Sequence, residues 1–245
     1  MRDAWRHFAA EFIGTFALVF VGSATIITSP MLSQQAAVVN IALAHGLILS
    51  IMVTATMRIS GHLNPAVTTA FLVTRRIEPM MAVVYWIAQF SGAVIAAYAL
   101  KSLYPDKLVS VTQLGGQSIS IDIGLVQAIV LEAIATFFLV FAVWGTAVDP
   151  QAPKVGGFAI GLAVTAGIFF IGPLTGGSLN PARSFGPALV SRHFEGQAAY
   201  WIGPIVGAIA AGLLYEGLFI RRDVEPADHG AVAPELPADL NRQPV

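Results

Sequence analysis

The chain has 245 residues, 56% of them hydrophobic and only 11% charged, with a mean hydropathy of +0.74 and a formal net charge of −1. A soluble domain carries about a quarter charged residues, so the composition excludes a soluble globular protein, and the near-neutral balance points to no particular partner. There is no cysteine, which excludes disulfides and thiol chemistry.

Six apolar runs are predicted as spans, at about 8–28, 36–57, 79–100, 124–147, 155–172 and 198–220. Each reaches 18 residues or more, enough to cross a hydrocarbon core of roughly 30 Å as a helix. The first run follows Arg2 and Arg6 as a signal peptide would. It is about 21 residues long and lacks a small-x-small cleavage site, so it reads as a retained helix. An even number of spans puts both termini on one side. That side holds Arg2, Arg6, Arg58, Arg75, Arg76, Lys154, Arg221, Arg222 and Arg242, against Lys101, Lys107, Arg183 and Arg192 on the other. The positive-inside rule therefore assigns both termini to the cytoplasm, and the expected location is the plasma membrane. From Arg221 the composition turns to proline and charge, and 221–245 reads as a disordered cytoplasmic tail.

The two halves repeat. Glu11-Phe12-Ile13-Gly14-Thr15-Phe16 in the first span matches Glu132-Ala133-Ile134-Ala135-Thr136-Phe137 in the fourth. Asn-Pro-Ala occurs at Asn64-Pro65-Ala66 and again at Asn180-Pro181-Ala182, between the second and third spans of each half. Asparagine is a favoured N-cap and proline a favoured first helical residue, so each copy starts a helix. The segments 64–75 and 180–190 are too short to span, covering roughly 17–18 Å each. They are predicted as re-entrant half-helices from opposite faces that meet by their N-termini at the midplane. Non-helical backbone is tolerated at that depth only when buried in protein or lining a water-filled cavity. Three spans per half invert the second repeat, and inverted repeats with broken helices are a solute-transport architecture. The expected organisation is one all-α unit over 1–220, with repeats at 1–103 and 124–220.

Over roughly residues 8–220 the chain resembles the aquaporins of the major intrinsic protein family. Gly61-His62-Leu63-Asn64-Pro65-Ala66-Val67-Thr68 and Ser178-Leu179-Asn180-Pro181-Ala182-Arg183-Ser184 carry the resemblance. It implies that Asn64 and Asn180 donate to a passing water oxygen. With the positive ends of two half-helix dipoles, they would orient water and oppose protons and cations. It also implies that Arg183 narrows the external mouth, with His45, Ile168 and Gly177 completing the selectivity filter. Strict water channels of the family carry phenylalanine at the first of these three positions and histidine at the second. The arrangement here is similar to certain plant vacuolar (tonoplast intrinsic) members that pass ammonia as well as water. Placing His45 in the filter needs a one-residue gap before Asn64, and a packing histidine is the alternative. Those relatives also place a histidine in the long external loop, and 101–123 contains none. The family's glycerol channels have an aspartate directly after the filter arginine, where this chain has Ser184.

Glu11 and Glu132 are expected to hold the carbonyl-rich loops, a proton relay being the alternative reading. His62 is expected to do similar work or to line the cytoplasmic vestibule. Gly157-x-x-x-Gly161 and Gly203-x-x-x-Gly207 read as close helix contacts, and Pro187 as a kink in the second half-helix. An ion-coupled transporter would need membrane acids, for which Glu11, Glu132 and Glu216 are the candidates. No metal-binding, zinc-protease or nucleophile-elbow pattern points to an enzyme. The expected function is thus a passive channel for water and small neutral solutes such as ammonia, with water alone as the alternative. No metal or cofactor and no nucleic-acid partner is expected. The resemblance implies a homotetramer in the lipid bilayer.

Overall fold

The computed structural model describes residues 3–153 and 155–220, so the predicted tail at 221–245 lies outside the described residues. In chain order the helices are α1 (Ala4–Thr28), α2 (Gln34–Thr56), the short α3 (Pro65–Val73), α4 (Pro79–Leu103), the short α5 (Asp106–Val111), α6 (Leu125–Val143), α7 (Phe158–Thr175), the short α8 (Pro181–Ser191) and α9 (Gln197–Leu218). Six of them, α1, α2, α4, α6, α7 and α9, are long and apolar enough to cross a membrane. No strand occurs among the described residues.

The helix ends have local causes. Ser29-Pro30-Met31 closes α1 in a 3-10 turn, and Ser33 Oγ accepts from Ala36 N at 3.4 Å to open α2. Pro79 opens α4 after an extended Glu78, and Gly176, with φ of +79°, ends α7. The fifth span lies about three residues later than its apolar run suggests, because Gly156 (φ +59°) turns the chain and Thr54 Oγ1 accepts from Gly157 N. The connection after α4 reads in the sequence as a long loop. It contains α5 and a 3-10 turn at 113–115, whose Leu114 is fully buried at φ +60°. One π-helical turn, Trp144–Val148, extends α6. Pro187 does not interrupt α8, which runs unbroken from Pro181 to Ser191.

Packing follows the repeat. α1 lies on α4 as α6 lies on α9, and α2 meets α7 between the halves. Small residues permit this approach. A Cβ on Gly207 would stand 2.0 Å from the carbonyl oxygen of Ala133, and one on Gly161 would stand 2.1 Å from that of Gly46. Alanine at either site must push two backbones apart, an overpacking that costs about 1–3 kcal/mol. The outward faces are apolar. On α2, Val39, Leu43, Leu47 and Ile51 recur every fourth residue and are all exposed, the pattern of a helix face turned to lipid or to another membrane chain.

The half-helices cross over between repeats: α3 packs on α9 as well as α4, and α8 packs on α4. Their 9 and 11 residues give lengths of about 14 and 17 Å, so each ends near the middle of the bundle. Both point their N-termini inward, at Asn64 and Asn180.

Candidate functional site

Each asparagine caps its own half-helix. Asn64 Oδ1 accepts from Ala66 N at 2.9 Å, and Asn180 Oδ1 accepts from Ala182 N at 3.0 Å and Arg183 N at 3.3 Å. Pro65 and Pro181 follow, where a missing N–H costs nothing. The amide nitrogens reach across the repeat. Asn64 Nδ2 donates to the carbonyl of Leu179, and Asn180 Nδ2 donates to that of Leu63, both at 2.8 Å. A primary amide has two N–H groups, so each side chain keeps one for a further acceptor.

Those leucine carbonyls are presented by strained backbone. Leu63 and Leu179 have φ of +51° and +55°, a left-handed conformation uncommon outside glycine. Buried acids hold it in place. Glu11 Oε1 accepts from Ser60 Oγ, from Gly61 N at 2.9 Å and from His62 N at 2.8 Å. Its Oε2 accepts from Leu63 N and from Gln89 Nε2, both at 2.7 Å. Glu132 does the same in the other repeat, accepting from Thr175 Oγ1 (2.7 Å), Ser178 N (2.9 Å) and Leu179 N (2.8 Å). Each carboxylate thereby fixes the loop that leads into its asparagine.

Asn64 and Asn180 border one narrow passage with His45, His62 and Arg183, walled by aliphatic side chains such as Leu18, Leu49, Leu139 and Val164. The volume open to water centres is about 20 Å³, against the roughly 10–15 Å³ that one water requires. The room is therefore that of about one or two waters. Asn64 and Asn180 present amide donors to the passage, and the loop residues Gly61, His62, Ser178 and Leu179 border it as well. The positive ends of α3 and α8 add to the same field.

Arg183 is 2% exposed. Gln117, from the connection after α5, lies against it. With the Gln117 amide assigned so that donor does not face donor, its oxygen accepts from Arg183 Nη1 and, at 3.3 Å, from Nη2. Arg183 Nε has no partner among the described residues. His45 Nδ1 is bonded to the Ile41 carbonyl at 2.7 Å, and the ring is fully buried. Ile168 and Gly177 pack on each other: a Cβ on Gly177 would stand 3.1 Å from Ile168 Cγ1. Ile168 borders a separate cavity of about 130 Å³ with Ile26, Ile41 and Gly176. His45 and Arg183 are therefore brought to the passage itself, and Ile168 and Gly177 to each other beside it.

On the face that carries the N-terminus the passage opens into a vestibule of about 350 Å³ lined by His62, Phe71, Arg76 and Tyr85. His62 borders both spaces, its Nδ1 lying 3.1 Å from Thr68 Oγ1 and its ring packed at a tilt of 39° against Phe71. Arg76 is bound by both oxygens of Glu216, which also accepts from Trp144 Nε1 at 2.8 Å. The Glu216 hydrogen bond is the main cause that raises the Arg76 pKa above its ordinary value. Among the described residues no group of three His, Cys, Asp or Glu side chains is placed to hold a metal ion.

Tyr200 donates its hydroxyl to the Thr175 carbonyl at 2.8 Å, while Gln117 and Gln89 were not singled out from the sequence. Nothing local marks Gln117, since its partner is 66 positions away.

Comparison with known proteins shows the family and the fold. The model of the family described as major intrinsic protein matches residues 1–215. Aquaporin TIP2-1 of Arabidopsis thaliana is 40% identical over 224 residues, covering 88% of each chain. Aquaporin TIP2-1 of Zea mays is also 40% identical over 224 residues, with the same coverage. The X-ray structure of the aquaglyceroporin from Plasmodium falciparum superposes with a TM-score of 0.77 at 24% identity, over 88% of this chain and 96% of that one, a likeness of fold alone. The chain belongs to the major intrinsic protein family and is a multi-pass membrane channel, not an enzyme.

Proposed function

We propose that this channel conducts water passively, admits small neutral solutes such as ammonia, and excludes protons and ions. The observation that carries the reading is the pair of asparagine amides, each with one N–H unspent, on a passage with room for water centres of about 20 Å³. Two donors converging on one water leave its hydrogens pointing outward and break the hydrogen-bonded file that protons would follow. Arg183 adds a fixed positive charge against cations.

The ammonia part rests on His45, Ile168, Gly177 and Arg183 as the selectivity filter. An aliphatic residue at 168 and no side chain at 177 lower the bulk around the constriction, while His45 and Arg183 keep it polar. One observation favours the stricter water-only reading: the external loop offers Arg183 a glutamine, Gln117, and no histidine. Stopped-flow shrinkage of proteoliposomes, paired with internal pH recording, separates the two. Water conduction predicts accelerated shrinkage with no ion gradient, and a requirement for a gradient would instead favour a coupled transporter. Ammonia conduction predicts that an ammonium gradient alkalinises protein-containing vesicles faster than empty ones, and equal rates remove ammonia from the reading. Replacing His45 with phenylalanine and Ile168 with histidine should then leave water alone.

The channel unit is assigned to 1–220, with repeats 1–103 and 124–220. Glu11, Glu132 and His62 serve as loop supports. Both termini are assigned to the cytoplasm, supported by Arg6, Arg58, Arg75 and Arg76 on that face. The relatives bear TIP names, which lend no support to the plasma-membrane expectation, and it is dropped. Assembly as a homotetramer is consistent with the exposed apolar ridge of α2 and is tested by the mass of the purified channel in detergent.

A further inference from the structure

We propose that Gly22, on α1, is a positioning residue for permeation: its missing side chain forms a notch that holds the His45 imidazole back at the edge of the passage. A Cβ built on Gly22 would stand 2.2 Å from His45 Nε2, 2.5 Å from Cδ2 and 2.8 Å from Cε1. The whole leading edge of the ring therefore rests on the bare backbone of α1. No hydrogen bond draws it there, because Nε2 has no partner among the described residues. Shape alone seats it, with Nδ1 tethered to the Ile41 carbonyl at 2.7 Å.

A methyl group at position 22 removes the seat. To regain an ordinary contact of 3.4 Å, the ring or α1 must retreat by about 1.2 Å from the 2.2 Å overlap. The ring is fully buried, and the open space it borders is the passage it shares with Arg183. Interiors are close-packed and compress little, so the displaced ring has only that open space to enter. A retreat on that scale consumes a passage whose room for water centres is about 20 Å³. Gly22 thus sets how much of the constriction His45 occupies, without touching the permeant itself. The inference rests on the reading of His45 as a filter residue.

The test compares Gly22→Ala, His45→Ala and the double variant as full-length chains in proteoliposomes, with water permeability normalised to protein content. Gly22→Ala should lower the rate about tenfold, a barrier change of roughly 1.4 kcal/mol. The double variant should recover to the level of His45→Ala, since no ring remains to displace. A Gly22→Ala rate within about twofold of the unaltered channel, roughly 0.4 kcal/mol on the same scale, overturns the proposal. So does a double variant as slow as Gly22→Ala, which would place the effect in helix packing. Should Gly22→Ala fail to fold, recovery of monodisperse protein in the double variant supports the steric conflict with the ring, and no recovery refutes it. The filter reading fails separately: His45→Ala alone should change the ratio of ammonia to water permeability, and an unchanged ratio removes His45 from the filter even if the notch is real.

Discussion

Replacing Glu132 with alanine should destabilise the channel more than replacing Glu11, although Glu11 takes part in more hydrogen bonds. Glu132 accepts from Thr175 Oγ1, Ser178 N and Leu179 N. The three residues are at most 3% exposed, so water cannot take the carboxylate's place. Thr175 Oγ1 retains the Ile171 carbonyl at 3.3 Å, which leaves two backbone N–H groups stranded. At about 1–3 kcal/mol for each buried donor without a partner, the loss is roughly 2–6 kcal/mol. Glu11 accepts from five donors, but Ser60, Gly61 and His62 are only partly buried, and all three line the vestibule. Gln89 Nε2 retains Thr68 Oγ1 at 2.9 Å. Only Leu63 N is left without an alternative, for about 1–3 kcal/mol. Thermal unfolding of the purified variants in one detergent measures the order. In a chain of this size about 1 kcal/mol shifts the melting temperature by roughly 2–4 °C. Glu132→Ala should therefore fall on the order of 10 °C, and Glu11→Ala about half as far. A larger drop for Glu11→Ala would mean that the number of bonds, and not access to water, governs the cost.

Two further outcomes follow from the site. Gln117→Leu removes the acceptor from the buried Arg183 guanidinium, a loss of about 1.5–3 kcal/mol for a bond to a charged group; it should lower the melting temperature and alter water permeability together, and an unchanged pair of values sinks the contact. Mercuric chloride should leave water permeability unaltered, because the chain has no cysteine; inhibition at low mercury concentration would require another target.

What the sequence made legible was local or periodic. The six spans, the two half-helices and the asparagine caps each depend on residues within a few positions of one another, and the Glu11 and Glu132 matches revealed the repeat. The span ends moved by a few residues where turn chemistry overrode hydropathy, as at Gly156 before α7. Contacts between distant segments were illegible for a physical reason: a side chain's neighbours across the bundle leave no mark on its own surroundings in sequence. Gln117 on Arg183, Glu216 on Arg76 and Trp144, and the Gly22 notch under His45 are all of this kind. Even the asparagines were read incompletely. Their capping role is local, but the bonds from Nδ2 to Leu179 and Leu63 exist only because the second repeat is inverted.

Those crossed bonds tie folding to permeation. Each asparagine uses its oxygen on its own half-helix and one N–H on the opposite repeat, so neither loop can be satisfied by one half of the chain. The left-handed Leu63 and Leu179 turn their carbonyls toward the opposite amide, and Glu11 and Glu132 hold the turns through the adjacent N–H groups. Once these demands are met, one amide N–H on each side remains, and both residues border the same passage. On the proposed function, the donors that meet a water at the midplane are those left over after the two repeats have closed on each other. Any substitution that loosens the closure therefore disturbs water orientation even where it lies outside the passage. Glu132, which touches no permeant and holds Leu179 N, is such a position.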